Sequence, residues 1–228
     1  MGWMLAALDR WNARHPWSHN KAYTPVVLAH GRLARSGVRA DGLLDDRAPS
    51  RALDVGCGTG LLARRLGRSF DEVIGLEPSA PTAALARRTT ADIPAVRIIQ
   101  GSLDSIGQEQ FDLVSLVAVL HHLPLEPALR RLRRLVRPGG RLVVIGLAAE
   151  TRRDFGWSLS SMVLNPLVGT LLHLRPGELA PAEMTAPTVE PTATLEEIRN
   201  AAARFLPGAR LRHGLFWRYV LVWRAVPV

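Results

Sequence analysis

The chain has 228 residues, of which 47% are hydrophobic, and this is sufficient for one domain with a buried core. Its single cysteine excludes an internal disulfide and a metal site built from cysteines. The formal net charge is +9, but Lys21 is its one lysine and the arginines are spread through every segment. This distribution argues against a dedicated nucleic-acid-binding face.

We expect no signal peptide at the start of the sequence. Residues 1–10 lack a basic region and have too short an apolar run for a signal peptide, and no stretch reads as a transmembrane span. The length and hydrophobic content lead us to expect a single domain over residues 1–228, and the lone cysteine leads us to expect a cytoplasmic location.

Residues 1–49 precede the first expected strand. They look helical in pieces, with a polar, glycine-containing connection over residues 36–50. Within them, residues 17–23 (WSHNKAY) combine two aromatic side chains with His19. One interpretation is a surface helix anchored by tryptophan, with an incidental histidine.

The segment around which the chain is organised is residues 51–60 (RALDVGCGTG). Its apolar run, with Asp54 near the end, predicts a buried strand. Three glycines at alternate positions then let the backbone turn sharply and approach a ligand closely. Helical spacing resumes over residues 61–66, so the loop presents the free N–H groups of a helix N-terminus at the end of the strand.

A second acidic side chain ends the next expected strand. Residues 73–77 (VIGLE) place Glu77 19 residues after Gly58. A carboxylate at this position can accept two hydrogen bonds from a ribose diol. The glycine spacing G-x-G-x-G nevertheless departs from the dinucleotide fingerprint G-x-G-x-x-G.

Strand and helix patterns alternate from residue 51 onward, which predicts a parallel sheet covered by helices. The last two strands are joined too closely for a crossover, so we expect them to pair antiparallel. The expected strands are 51–55, 72–76, 95–99, 111–118, 141–146, 209–214 and 216–225, and the expected helices between them include 60–68, 79–89 and 125–136.

The densest basic run lies on the helix expected over residues 125–136. Its apolar positions face the sheet, so the arginines are expected to form the opposite, solvated face. These arginines are Arg130, Arg131, Arg133, Arg134 and Arg137.

The chain resembles the class I S-adenosylmethionine-dependent methyltransferases, particularly small actinobacterial members of the ubiquinone-methyltransferase-like group. The resemblance is carried by residues 51–60, Glu77, residues 111–123 and residues 135–140 (LVRPGG), and it extends from about residue 17 to the C-terminus. It implies an α/β fold, with a seven-stranded, mostly parallel Rossmann-like sheet, helices on both faces and a C-terminal antiparallel hairpin. S-adenosylmethionine would be the co-substrate, and no metal ion is expected.

The resemblance also implies cofactor contacts. Ser102 stands where many relatives have an aspartate that accepts a hydrogen bond from the adenine amino group, so Asp104 is an alternative acceptor. From the residues alone, Asp54 remains open to a role as a helix or loop cap, and Glu77 to one as a surface acid. The implied contacts are Asp54, Gly56, Cys57, Gly58 and Gly60 for the methionine end, Glu77 followed by Pro78 for the ribose, Ser102 and Leu103 for the adenine, and the backbone around Val117 for the amino group.

Two segments resemble the parts of this family that enclose the active site. Residues 17–23 resemble a segment that folds over the cofactor or substrate, and residues 150–193 resemble the substrate-capping insertion after the fifth strand. The second segment is also compatible with a core helix or a membrane-surface segment. The membrane reading is disfavoured because the segment has few cations apart from Arg152 and Arg153.

Two histidines follow the expected fourth strand directly, at the edge where open α/β folds bind ligands. Because neighbours in an extended segment face opposite ways, we expect one imidazole to face the pocket and the other to pack or cap the next helix. We favour His122 over His121 as a general base, with His19 as a rival. Alternatively both histidines are structural, since methyl transfer often needs no base.

The sequence therefore predicts methyl transfer to the oxygen or nitrogen of a small-molecule acceptor, with a role in secondary metabolism and no nucleic-acid or membrane partner. An RNA methyltransferase is a rival that the basic charge favours, although no appended RNA-binding motif is present. A catalytically silent scaffold of the same fold is a rival of another class, and the intact glycine loop and Glu77 argue against it. A dehydrogenase comes last.

Overall fold

Apolar runs become strands, and the amphipathic stretches between them become helices, as the alternating pattern requires. The computed structural model describes residues 19–40, 48–149 and 189–226. The strands are β1 (Arg51–Val55), β2 (Glu72–Glu77), β3 (Val96–Gln100), β4 (Phe111–Val117), β5 (Val136–Gly146), β6 (Arg210–His213) and β7 (Tyr219–Arg224). The helices are α1 (His19–Ala40), α2 (Leu61–Leu66), α3 (Ala80–Thr90), α4 (Leu125–Leu135) and α5 (Leu195–Phe205).

The seven strands form one sheet in the order β3-β2-β1-β4-β5-β7-β6. Strands β1 to β5 are parallel, β7 is antiparallel to β5, and β6 is antiparallel to β7. The chain builds outward from β1 to β3 and then, in the other direction, from β4 to β5. The carboxyl ends of β1 and β4 therefore flank the switch point at which open α/β sheets bind ligands. The expected fold class is confirmed.

Alternate side chains of the strands enter two separate cores because successive residues point to opposite faces. Leu53 of β1 lies in the core that α4 and α5 cover, and its neighbour Ala52 lies in the core that α1, α2 and α3 cover. The apolar stripe of α4 includes Leu129, Leu132 and Leu135, which are fully buried. Each contributes about 1.5–3 kcal/mol of hydrophobic stabilisation.

Strand β5 begins earlier than expected, at Val136 instead of residue 141. Phe111 of β4 pairs with Val136 and Leu113 with Arg141, so the pairing of β4 with β5 is irregular between these two positions. Gly140 permits this because an added Cβ would lie 2.8 Å from the backbone oxygen of Asp112. The Pro-Gly-Gly sequence thus bends the strand without ending it.

Helix α1 is one continuous element and packs against β4 and β5. The sequence had predicted helical pieces and a connection that began at residue 36, whereas α1 continues to Ala40.

The insertion after β5, interpreted from the sequence as a lid over residues 150–193, lies outside the described residues up to residue 188. Its two flanks lie side by side, since the Ala149 N–H donates to the Ala193 oxygen across 2.8 Å. Helix α5 follows at once and was not predicted. Its N-cap is Thr194, whose hydroxyl accepts from the Glu197 N–H while the Glu197 carboxylate accepts from the Thr194 N–H.

The arginines near α4 are only in part the solvated face expected from the sequence. Arg131 donates to the backbone oxygen of Gly107, and Arg133 to that of Phe205 across 3.2 Å. Arg137 forms a 3.2 Å ion pair with Asp112, which is 2% exposed. These three guanidinium groups therefore bind other parts of the fold.

Candidate cofactor and acceptor site

The glycine loop between β1 and α2 is held in a conformation that other residues rarely adopt. Gly56, Gly58 and Gly60 have φ angles of 65°, 54° and 83°. A Cβ on Gly56 would lie 2.4 Å from a methyl group of Val119, whereas a Cβ on Gly58 would meet nothing within 4 Å. Gly56 therefore lets the loop close against the segment after β4, and the backbone of Gly58 faces open space.

The carboxylate of Glu77 ties this loop to the end of β2. One oxygen accepts a hydrogen bond from the Gly58 N–H across 3.0 Å, and the other accepts from the Ser79 N–H across 3.0 Å. The Cys57 N–H donates to the Leu76 oxygen beside it, across 2.9 Å. Glu77 is 8% exposed, so its interpretation as a surface acid is wrong. Pro78, which follows it, is exposed.

Asp54 lies beneath the loop and is 2% exposed. Its Oδ1 accepts from the Ser115 hydroxyl across 2.9 Å, and its Oδ2 has no hydrogen-bond partner among the described residues. Burial, with a smaller contribution from the nearby Glu77 charge, raises the pKa of the Asp54 carboxyl to about 7, although the Ser115 hydroxyl and the Ala63 N–H act in the opposite direction.

The segment after β3, to which the adenine contact was assigned, forms a short 3-10 turn over Leu103–Ser105. The Ser102 hydroxyl accepts from the Asp104 N–H across 3.3 Å, and the Ser102 N–H donates to the Ser105 hydroxyl across 3.2 Å. Ser102 and Asp104 are exposed at the surface, and Leu103 is buried. The serine hydroxyl retains one lone pair and its proton for a ligand.

Strand β4 ends in a sharp change of direction. Ala118, directly after Val117, has a φ of 57°, and its N–H donates to the Ile145 oxygen across 2.7 Å. A non-glycine residue in this conformation stores strain of about 1–2 kcal/mol. The turn places Val119 against Gly56 and so brings the chain after β4 over the glycine loop.

The two histidines after β4 lie in a 3-10 turn, Leu120–His122. Their ring centroids are 4.0 Å apart, so the expectation that they face opposite ways is wrong, because it assumed an extended segment. His121 is half-buried, and its Nδ1 has no partner among the described residues. Burial, and then the neighbouring His122 and Arg218, lower the pKa of the His121 imidazole to about 4. His122 is exposed.

The turn between β6 and β7 completes this edge of the sheet. It is closed by backbone hydrogen bonds from the Gly214 N–H to the Arg218 oxygen, 2.7 Å, and from the Arg218 N–H to the Leu215 oxygen, 3.3 Å. Phe216 and Trp217 occupy its centre with φ angles of 57° and 56°. Two bulky residues in this region are unusual for such a turn, which glycine and asparagine favour.

Helix α1 holds this turn from the other side. The Tyr23 hydroxyl donates to the Leu215 oxygen across 2.8 Å, and the Arg218 Nε and Nη2 donate to Asn20 Oδ1, each across 3.2 Å. Asn20 and Tyr23 belong to the aromatic segment that the sequence had singled out. Sequence reasoning missed Arg218 because its partner is 198 residues away. His19 is the first residue of α1, and its side chain is not among those that the structure describes.

Within residues 19–40, 48–149 and 189–226, no helix combines the length and apolar character needed to cross a membrane. Over the same ranges, no three His, Cys, Asp or Glu side chains are grouped so that they could hold a metal ion.

Comparison with known proteins identifies the family. A model of the methyltransferase domain matches residues 53–144. The chain is 34% identical over 202 residues to an uncharacterised methyltransferase of Mycobacterium tuberculosis, covering 83% of this chain and 96% of that protein. It is 31% identical over 202 residues to the malonyl-[acyl-carrier protein] O-methyltransferase of Enterobacter lignolyticus, covering 82% and 78%.

A solved structure shares the fold. The N-methyltransferase NodS from Bradyrhizobium japonicum, in complex with S-adenosyl-L-homocysteine, aligns with a TM-score of 0.53 and 16% identity, over 87% of this chain and 86% of that one.

The residues at the switch point fit the cofactor of this family. The unpartnered Asp54 Oδ2 is a buried acceptor that a ligand can complete, the Gly58 backbone leaves room for one, and Glu77 presents a carboxylate at the end of β2. The chain thus belongs to the class I S-adenosylmethionine-dependent methyltransferases and is an enzyme that uses S-adenosylmethionine as its co-substrate.

Proposed function

We propose that the chain methylates an oxygen or nitrogen of a small-molecule acceptor that binds at the carboxyl edge of the sheet. The observation that carries this proposal is the polar cluster at that edge: the ring centroid of His121 lies 4.0 Å from that of His122, the Arg218 charge acts on His121, and Val119, just before this turn, lies against Gly56 of the glycine loop. When bound, S-adenosylmethionine supplies a methyl group on a positively charged sulfur.

The cofactor assignments made from the sequence stand as part of this proposal. Two N–H groups fix the orientation of the Glu77 carboxylate and leave lone pairs for the two ribose hydroxyls. The glycine loop and Cys57, with Asp54 beneath them, hold the methionine end. The remaining proposed contacts with the cofactor are Pro78 beside the ribose, Ser102 and Leu103 at the adenine, and the Val117 backbone at the amino group.

Proton removal from the acceptor is assigned to His122. The lowered pKa of His121 makes that imidazole a weak proton acceptor at neutral pH, whereas His122 is exposed at the same turn. His121 then acts as a neutral wall of the acceptor site. His19 remains the rival base.

The contacts of the arginines support a small-molecule acceptor over an RNA acceptor. Arg131, Arg133 and Arg137 are engaged with the fold, and this reduces the basic surface that an RNA backbone would contact. A relative that matches most of this chain is named for a malonyl group on a carrier protein, which supports a metabolic acceptor. A single domain over residues 1–228, a lid over residues 150–193, a role in secondary metabolism and a cytoplasmic location stay predictions.

A labelled methyl group tests the acceptor class. The enzyme is incubated with methyl-labelled S-adenosylmethionine and either a cell extract of small molecules or total RNA. We expect label in small-molecule products alone. Label in RNA, with RNA binding that weakens steeply as salt is added, would support the RNA enzyme instead. Bound S-adenosylhomocysteine with no label in either fraction would indicate a silent scaffold.

A further inference from the structure

Arg218 is a cation without an anionic partner in the part of the chain that the structure describes. Its Nε and Nη2 both donate to one neutral oxygen, Asn20 Oδ1. The Tyr23 hydroxyl nearby donates to the Leu215 oxygen. A guanidinium carries five N–H donors, so Arg218 retains donors that these contacts do not use.

The surroundings of Arg218 make this unneutralised charge costly. Burial lowers the pKa of the guanidinium to about 10; among the residues that the structure describes, Tyr23 opposes that shift and no carboxylate does. Removing a charge from water without an opposite charge is unfavourable. If the side chain only fastened the β6–β7 turn to α1, a neutral donor to Asn20 would do so without this cost.

The position of Arg218 places the charge beside the acceptor site. Tyr219, the next residue, pairs with Gly146 at the carboxyl end of β5, and Ile145 pairs with Val117 at the carboxyl end of β4. Arg218 is also close enough to His121 to lower the pKa of its imidazole. The guanidinium therefore lies along the same edge as the two histidines.

We propose that Arg218 binds a carboxylate group of the methyl acceptor and so selects acceptors that are carboxylic acids. The planar fork of a guanidinium matches the two oxygens of a carboxylate. Asn20 is the positioning residue, since its amide oxygen orients the fork without neutralising it. This inference rests on the proposed small-molecule function, and it names the substrate class.

Binding of simple acids to the enzyme loaded with S-adenosylhomocysteine tests it. The probes are acetate, hexanoate and benzoate, each paired with its neutral amide, and phenyl phosphate, followed by saturation-transfer NMR. We expect at least one carboxylate to bind about tenfold or more tightly than its amide. Arg218→Gln should abolish that difference. Arg212→Gln, which removes an exposed arginine of β6 and the same charge, should preserve it.

A second variant distinguishes recognition from a structural role. Asn20→Asp keeps the acceptor oxygen and the attachment of the turn, but it supplies an internal carboxylate to Arg218. Recognition predicts that this variant melts at or above the temperature of the parent and loses carboxylate binding. A purely structural Arg218 predicts that binding is unchanged.

The outcomes are separable from those of the proposed function. Failure of the parent to bind S-adenosylhomocysteine would refute the methyltransferase site itself. Cofactor binding without Arg218-dependent binding of any carboxylate in the panel would refute this inference alone. Binding of phenyl phosphate but of no carboxylate would also overturn it, in favour of a phosphate-bearing acceptor.

Discussion

The carboxylate of Glu77 and the backbone N–H of Gly58 are joined by a 3.0 Å hydrogen bond between the ends of two neighbouring strands. This contact explains why an acid at the tip of β2 accompanies a glycine in the loop after β1. The glycine allows the loop to turn, and the carboxylate then holds the turned loop in place. A ligand over the switch point thus meets a loop that is already oriented, which reduces the ordering cost of binding.

Alanine substitutions in the loop should separate folding from cofactor binding. Both Gly56→Ala and Gly58→Ala place a side chain at a positive φ, which costs about 1–2 kcal/mol. Only Gly56→Ala also drives a methyl group into Val119. We expect Gly56→Ala to show the larger loss of stability in urea unfolding, and Gly58→Ala to fold but lose affinity for S-adenosylhomocysteine.

Val119→Ala in the Gly56→Ala background provides the control for this prediction. Removing the methyl groups that clash should restore part of the lost stability. Equal losses for the two single variants, or no recovery in the double variant, would mean that the contact between the loop and the segment after β4 is not what requires glycine at position 56.

Asp54 should make stability depend on pH. Its pKa is about 7 in the folded protein and about 3.9 when exposed. Between these values the folded state holds a proton that the unfolded state has released. The free energy of unfolding therefore falls as pH rises from about 4 to about 7, by at most about 1.4 kcal/mol per pH unit.

The Asp54→Asn variant resembles the protonated acid and cannot ionise. Its stability relative to the parent should rise with pH across that window and become constant above pH of about 7. Urea unfolding of both proteins at several pH values measures the difference. Parallel pH profiles would show that Asp54 is already ionised in the folded protein at the lower pH.

The histidine assignment predicts unequal effects on the chemical step. In single-turnover kinetics with an identified acceptor, His122→Ala should slow methyl transfer by about 10²-fold to 10⁴-fold, because it removes the proposed base. His121→Ala should slow it far less, since the low pKa of that imidazole leaves it a weak proton acceptor. Cofactor affinity serves as the control. If neither variant changes the rate, attention moves to His19.

Replacement of the insertion after β5 should separate turnover from cofactor binding. The flanking residues Ala149 and Ala193 are joined by a 2.8 Å hydrogen bond, so a short Gly-Ser linker can replace residues 151–191 without displacing β5 or α5. A substrate lid predicts that turnover is lost while binding of S-adenosylhomocysteine persists. Loss of folding, seen by circular dichroism, would instead indicate that the segment is part of the core.

Local patterns were sufficient for the order of strands and helices, because apolar runs and helical spacing alternate from Arg51 onward. They also located the loop and Glu77. Helix α5 was missed although Thr194 and Glu197 have the spacing of a capping box. The start of β5 was expected at residue 141, after the Pro-Gly-Gly sequence, whereas the pairing of β4 with β5 accommodates those residues through an irregularity.

The acceptor side of the site was harder to predict from the sequence, because it depends on contacts that form only in the folded chain. The relative orientation of His121 and His122 depends on a 3-10 turn that follows the strained Ala118. The contact between Asn20 and Arg218 joins residues near opposite ends of the chain. Neither feature produces a periodic pattern or a fixed spacing in the sequence, since each arises only when the sheet brings the carboxyl ends of its strands together.

Calorimetric titration with S-adenosylhomocysteine tests the central claim most directly. We expect one molecule to bind per chain and NADH to give no heat. Glu77→Ala should weaken binding by about 1.5–3 kcal/mol, the cost of leaving charge-assisted hydrogen bonds without an acceptor. Glu72→Ala, at the other end of the same strand and 49% exposed, should bind as the parent does. Absence of heat with S-adenosylhomocysteine, or equal affinity in Glu77→Ala and the parent, would contradict this account of the site.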